Sequence, residues 1–191
     1  MGASTMGSMA SYPIRVFGDP VLKRPARDVT DIDGTFAKLV DAMFTTMYDA
    51  PGVGLAAPQV GDLRRIIVTD PGNSTREQDD DGRPTNPRFC AMINPVVLEA
   101  GKEKIIWEEG CLSVPEFNED VARPRRVHVR WLDEFGRPHQ KWFQDYDAIV
   151  VQHEMDHLEG TVILDRVSRL KKVRYLTRRD KVRVRPDAPD A

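Results

Sequence analysis

The apolar positions along this chain of 191 residues recur with two periods, one typical of helices and one typical of strands. Residues 31–48 carry an apolar side chain every three to four positions, which predicts an amphipathic helix. A second helix is predicted over residues 148–159, with Gly160 as its stop. A third is predicted over residues 165–177, where apolar positions alternate with many basic ones.

Short apolar or alternating runs between these helices predict strands. They cover residues 65–69, 91–97, 104–107, 126–132 and 139–144, and the last two are separated by a turn sequence typical of a hairpin. Residues 71–87 are polar and rich in turn-forming types, so we expect a surface loop there. The pattern predicts an α+β fold in which short antiparallel strands pack around the helix at 148–159, with a C-terminal helix at the end of the chain.

Composition narrows the class of protein. A hydrophobic content of 40% and a charged content of 30% suit one globular domain, and the net charge of −2 predicts no affinity for DNA or membranes. We expect a disordered leader or cloning remnant at residues 1–10, a catalytic domain at 11–178 and a basic, proline-containing tail at 179–191. The two cysteines are too few for a disulfide scaffold, which favours a cytoplasmic protein with reduced thiols.

The sequence HEMDH within the second predicted helix is a candidate metal motif. His153 and His157 are four residues apart and would share one helix face, where both imidazoles can bind one ion, while Glu154 can transfer a proton. The alternative is a solvated helix face without metal. The preceding residues AIVVQ are apolar and predict a buried helix, which favours the metal site because buried polar groups need partners.

The third ligand separates the possible enzyme classes. The stretch HEMDHLEGTVI matches the start of a zinc peptidase pattern, but Ile163 stands where that pattern has its third histidine. No histidine follows His157 in the chain. The upstream candidates are Cys90, Cys111, His128 and His139. Cys111 is favoured because it follows Gly110 at a predicted strand end, and a Cys-His-His set leaves one coordination position open for catalysis.

Three segments of the chain resemble the signature motifs of peptide deformylases. They are GVGLAAPQVG, EEGCLSVP and QHEMDHLEG, in the family's order. The resemblance extends from about residue 14 to the last helix. It implies hydrolytic removal of the formyl group from the N-terminal formylmethionine of newly made polypeptides, with release of formate. Such an enzyme would work in the cytoplasm on nascent formylmethionyl polypeptides.

The resemblance also implies roles for individual residues. Cys111, His153 and His157 would bind one divalent metal, with Fe²⁺ expected in the cell and Zn²⁺, Ni²⁺ or Co²⁺ able to substitute. Glu154 would act as general base and acid for hydrolysis by metal-bound hydroxide. Gln59 and the backbone N–H of Leu112 would stabilise the oxyanion.

The substrate contacts implied by the resemblance are partly backbone and partly side chain. An extended substrate would pair with the backbone in strand addition, and its methionine would enter a pocket. The residues concerned are Val53, Gly54 and Gly110 for the backbone, and Trp107, Tyr146, Ile149 and Val150 for the pocket. Many relatives have smaller aliphatic residues at the first two pocket positions, and an arginine where this chain has Asn118.

Two charged residues near the motif need partners if the helix is buried. We hypothesise that Arg123 pairs with Asp156 and holds the metal helix in register, and that Glu109 hydrogen-bonds one ligand imidazole.

The last predicted helix combines a basic surface with an apolar face. Val167, Leu170, Val173 and Leu176 are expected to face the body of the protein. The basic residues of this helix could contact phosphates, and the resemblance implies a possible ribosome contact through them. A non-enzymatic alternative keeps the metal as structural and this helix as a ribosome-binding module.

Overall fold

The computed structural model describes residues 11–32, 34–72 and 90–184. Three α-helices and seven β-strands lie in these ranges, together with short 3₁₀ turns at Pro20–Lys23, Ala57–Val60 and Ile163–Asp165. The helices are α1 (Gly34–Asp49), α2 (Asp145–Leu158) and α3 (Arg169–Val184). The strands are β1 (Gly54–Ala56), β2 (Ile66–Thr69), β3 (Cys90–Ala100), β4 (Lys104–Gly110), β5 (Asn118–Pro124), β6 (Arg126–Leu132) and β7 (Pro138–Gln144).

The strands form two antiparallel sheets. The larger has five strands in the order β1-β2-β3-β6-β7, and the smaller consists of β4 and β5. In the smaller sheet Gly110 of β4 pairs with Asn118 of β5, so the loop at 111–117 closes this hairpin. That loop carries Cys111 and faces α2 from the side of the smaller sheet.

Alternate residues of β2 place the two main helices on opposite faces of the larger sheet. Ile66 and Val68 pack in one cluster with Met43 of α1, whereas Ile67 packs in another with Val151 of α2. All of these side chains are buried. The helix that bears the HEMDH motif is therefore a core element, as its apolar start predicted.

The predicted α+β fold with antiparallel strands, a central helix and a C-terminal helix is confirmed. The hairpin of β6 and β7 and the helices α1 and α2 lie within a few residues of their predicted bounds. Two strands were missed, β1 with three residues and β5 with the charged sequence NEDVARP. Most of the predicted surface loop at 71–87 lies outside the described residues.

The prediction for the face of the C-terminal helix was wrong for two of its four residues, since Leu170 is 69% exposed and Val173 is 49% exposed. Val167 does pack against the apolar cluster of the body, and Leu176 is half-buried. Tyr175 also packs against the body, since its ring meets Phe117 edge-on at 5.1 Å. The helix begins at Arg169 and continues to Val184, beyond its predicted end. Among the described residues, no helix is both long enough and apolar enough to cross a membrane.

Candidate active site

Helix α2 brings both imidazoles of HEMDH to one place. His153 and His157 are one turn apart, their ring centroids are 5.3 Å from each other, and both are buried. The helix ends at Leu158, and Gly160 follows with φ of +68°. A Cβ at Gly160 would lie 2.7 Å from the carbonyl oxygen of Lys23, so glycine is needed both for the turn and for this close approach.

Cys111 reaches the same place from the end of β4. A turn closed by a hydrogen bond of 2.9 Å from Val114 N to the Cys111 carbonyl oxygen presents its side chain to α2. Its Sγ lies 3.4 Å from His157 Nε2. The candidate ligand atoms of Cys111, His153 and His157 all lie within 4.8 Å of one another. Among the described residues these three are the group that can hold a metal ion.

A buried chain of charged groups supports the histidines. Glu109 Oε2 lies 2.8 Å from His153 Nδ1, and Arg123 binds Glu109 through two contacts of 2.5 and 2.9 Å. Arg123 also donates to Asp156 over 3.0 Å. Both hypothesised contacts are thus present. Because Glu109 occupies Nδ1, His153 offers its Nε2 to the site.

The donor set fits a divalent metal ion. One sulfur and two imidazole nitrogens suit Zn²⁺ and Fe²⁺. His157 Nδ1 and Glu154 Oε2 are buried and have no hydrogen-bond partner among the described residues. Burial by itself lowers the pKa of His153, yet its contacts with Cys111 and Glu109 raise that pKa well above its usual range. Burial and the charge of His153 lower the pKa of His157 well below its usual range, so its imidazole is neutral, the form that binds a metal ion.

Glu154 is held in the core between the ligands and β1. It is buried, and burial raises the pKa of its carboxyl group to about 7, although His153 and Arg123 oppose this effect. A Cβ at Gly54 would lie 2.8 Å from Glu154 Cγ. Glycine at this position in β1 is what allows the carboxyl group to lie beside the histidines.

The Gln59 amide is fixed in one orientation. Its Oε1 accepts a hydrogen bond of 2.8 Å from Ala56 N, which leaves the NH₂ group to face the site. That group lies 3.1 Å from Ser113 Oγ and 3.9 Å from Cys111 Sγ. Ser113 is a fully buried residue that sequence reasoning missed, because nothing in the pattern connects positions 59 and 113.

The predicted substrate residues line one cleft of about 560 Å³. The cleft is bordered by Val53, Gly54, Gln59, Trp107, Gly110, Leu112, Asn118, Tyr146, Ile149, Val150, His153 and Glu154, among others. The Trp107 and Tyr146 rings contact each other with centroids 5.4 Å apart. Every predicted substrate residue therefore lies around this cavity, together with Cys111, His153 and Glu154, whereas His157 is buried behind its lining.

The rejected ligand candidates lie elsewhere. His128 stacks on Trp142 at 5.1 Å, and His139 lies 3.0 Å from Asp133 in the β6–β7 turn. Cys90 is half-buried beside the core, and burial raises the pKa of its thiol to about 11. Ile163 is buried in the apolar cluster below Cys111.

A cysteine and two histidines that converge beside a buried glutamate are typical of metallohydrolases. The family model for polypeptide deformylase matches residues 11–173. A curated peptide deformylase of Rhizorhabdus wittichii is 43% identical over 166 residues, which is 86% of this chain and 91% of the relative.

Solved structures agree with this match. A peptide deformylase of Ehrlichia chaffeensis superimposes with a TM-score of 0.81 at 34% identity, covering 92% of this chain and 98% of that one. A class I type b peptide deformylase of Acinetobacter baumannii, solved with Met-Ala-Ser bound, gives a TM-score of 0.74 at 33% identity, covering 84% and 100%. The chain belongs to the polypeptide deformylase family. It is a hydrolase that removes the formyl group from N-terminal formylmethionine of new polypeptides.

Proposed function

We propose that Cys111, His153 and His157 hold one divalent metal ion and that Glu154 transfers the protons of deformylation. The observation that carries the proposal is the convergence of the three ligand atoms within 4.8 Å beside the buried Glu154. For the ion in the cell we propose Fe²⁺, with Zn²⁺, Ni²⁺ or Co²⁺ able to replace it. Mixed sulfur and imidazole donors support an ion of this group over Mg²⁺ or Ca²⁺.

The chemistry that a divalent ion supplies in such a site is Lewis acidity, which acidifies water and polarises a carbonyl oxygen. Glu154 accepts the proton that the attacking water gives up and returns it to the amine of methionine as the C–N bond breaks. Its position beside Gly54 supports this role, since it leaves the carboxyl group facing the cleft. Glu109 and Arg123 hold His153 in the required tautomer.

Gln59 and the backbone N–H of Leu112 donate to the oxyanion that develops on the formyl oxygen. Gln59 suits the role because Ala56 fixes its amide oxygen, and Ser113 Oγ takes only one of its two N–H donors, which leaves the other for the oxyanion. Loss of one such donor costs about 10²–10³ in kcat. We therefore expect Gln59→Ala to lower kcat by about that factor.

The substrate binds as an extended strand between Val53–Gly54 and Gly110, and its methionine enters the pocket of Trp107, Tyr146, Ile149 and Val150. The Acinetobacter relative, solved with Met-Ala-Ser bound, supports a peptide that begins with methionine as the ligand. The aromatic pair Trp107 and Tyr146 gives this pocket faces that favour the thioether sulfur of methionine. Asn118 gives the cleft an uncharged side chain at its position.

Glu154→Gln separates the proposed proton transfer from metal binding. Metal-loaded enzyme is assayed for formate release from formyl-Met-Ala-Ser, and the metal content of each variant is measured. We expect Glu154→Gln to keep its metal and to lose at least about 10²-fold in kcat. Glu159→Gln, an exposed position just past the same helix, is the matched control and should keep full activity. Equal activity of both variants would rule out the role of Glu154.

We also propose that residues 11–178 act as the catalytic domain in the cytoplasm, where new polypeptides arise, and that α3 contacts the ribosome. Arg169 and Arg174 are exposed on α3 and support binding to phosphates. Reversing both charges should weaken co-sedimentation with ribosomes. It should also reduce the slope of log affinity against log salt concentration by about two, one for each phosphate contact that is lost. Unchanged co-sedimentation would contradict the ribosome contact while leaving the enzyme intact.

A further inference from the structure

A second cavity, of about 230 Å³, lies between α3 and the N-terminal segment of the described chain. Val16, Phe17 and Tyr175 form its apolar floor. We call this cavity the α3 groove. No role in the reaction described above involves it, because Cys111, His153, Glu154 and the methionine pocket all line the larger cleft.

The α3 groove adjoins the catalytic cleft. Pro115 and Glu116 line both cavities and form the lip between them. Glu116 is an exposed, non-glycine residue with φ of +59°, a conformation that L residues adopt at a cost and that is concentrated at functional sites. The lip is held by a hydrogen bond of 2.7 Å from Phe17 N to the Ser113 carbonyl oxygen.

Two arginines and one carboxylate line the α3 groove, those of Arg178, Arg179 and Glu116. Arg178 is 71% exposed, and its contact with Glu116 spans 3.6 Å, so its guanidinium remains accessible. Arg179 donates to the Phe17 carbonyl oxygen over 3.1 Å and lies 3.6 Å from the Asp180 carboxylate, so Arg178 is the more accessible of the two positive charges.

We propose that the α3 groove binds the part of the nascent polypeptide that follows formylmethionine by about three to five residues, and that it favours acidic side chains there. An extended chain advances ~3.3 Å per residue, so a few residues carry it from the metal ligands across the lip. This inference rests on the proposed function, since it needs a substrate that leaves the cleft past Pro115. The apolar floor would hold the chain, and the exposed Arg178 guanidinium would pair with its carboxylates.

The test compares kcat/KM for three peptides on the ferrous enzyme. They are formyl-Met-Ala-Ser alone, the same peptide followed by three aspartates, and the same followed by three asparagines. We expect the aspartate peptide to exceed the asparagine peptide by about 3- to 10-fold at low salt, and the ratio to fall as salt increases.

Two charge reversals on the same helix locate the effect. Arg178→Glu should bring the aspartate-to-asparagine ratio to about one or below. Arg174→Glu changes the net charge equally but lies outside the α3 groove, so it should keep most of the ratio. Equal rates for the two long peptides, or an equal loss in both variants, would overturn the inference alone. No turnover of the tripeptide would overturn it together with the proposed function.

Discussion

Replacing Arg123 by methionine keeps most of the side-chain volume and removes the positive charge at the centre of the buried network. Arg123 is 4% exposed and binds Glu109 through two contacts and Asp156 through one. Removal of one partner from such a buried pair costs about 3–5 kcal/mol because a charge is left without compensation. Here Asp156 retains Arg166, and Glu109 retains His153. We therefore expect a loss near the lower end, about 3 kcal/mol.

The same substitution should weaken metal binding, because Glu109 loses the group that orients it against His153. Outer partners of ligand histidines typically contribute 10–100-fold to metal affinity, and we expect a loss of about that size. Urea unfolding of the metal-free protein, followed by tryptophan fluorescence, gives the first quantity, and competition with a chelator gives the second. The double variant Arg123→Met with Glu109→Gln should recover part of the stability, since it removes the stranded charge.

Arg125→Met is the matched control two residues further along the chain. Arg125 also pairs with two carboxylates, those of Glu103 and Asp145, but all three groups are in contact with water. Its replacement should therefore affect stability far less than that of Arg123. If both variants lost the same stability, or if Arg123→Met kept the wild-type metal affinity, the assigned role of the buried network would be wrong.

Three further predictions concern separate parts of the structure. Gly54→Ala should lower kcat/KM by at least about tenfold, because a Cβ there would press on Glu154 at 2.8 Å from Cγ. The pKa of the Asp165 carboxyl group is lowered to about 2, because a hydrogen bond from Lys23 helps to outweigh the opposite effect of burial. Its negative charge should therefore stabilise the fold above pH ~4, and this stabilisation should be lost as the pH falls toward 2. Asp165→Asn should accordingly cost about 1 kcal/mol at pH 7, a value discounted for solvent screening, in urea unfolding. Cys90, with a thiol pKa of about 11, should react with iodoacetamide at pH 8 about 10²-fold more slowly than an ordinary thiol, as read by mass spectrometry.

Each of these predictions has an outcome that contradicts it. Wild-type turnover by Gly54→Ala, with unchanged metal content, would show that Glu154 does not need the space. A stability difference for Asp165→Asn that stayed constant from pH 5 to about pH 2 would show that its carboxylate is not the titrating group. Cys90 that reacted as quickly as in the urea-unfolded protein would show that its burial does not protect it.

Local patterns predicted the parts of the fold that are regular and buried on one side. The alternation in β6 and the helical spacing in α1 and α2 follow from contact with the core. The strand β5 was missed because it pairs with β4 in a sheet of two strands, where its few inward positions include Arg123 rather than an apolar residue. The positive charge of Arg123 is compensated by Glu109 and Asp156, and only the tertiary structure brings these three residues together.

The site was predictable where chemistry and spacing coincide. The spacing of the two histidines was enough to predict that they share one helix face, with the glutamate beside them. Cys111 was predicted as the third metal ligand because the other candidates suited the role less well and because of the resemblance. The fixed orientation of the Gln59 amide could not be predicted, since it depends on hydrogen bonds with Ala56 N and with Ser113 Oγ. Ser113 lies 54 positions after Gln59 in the sequence. The exposure of Leu170 and Val173 on α3 could not be predicted either, because helical spacing does not show which face of a helix packs against the rest of the protein.

Deformylation is tested by the products that anaerobically prepared ferrous enzyme forms from formyl-Met-Ala-Ser. Mass spectrometry and a formate assay follow the same reaction. We expect one formate and one intact Met-Ala-Ser for each substrate consumed, with no cleavage between methionine and alanine. Cleavage of that internal peptide bond, or metal-loaded enzyme that releases no formate, would contradict it.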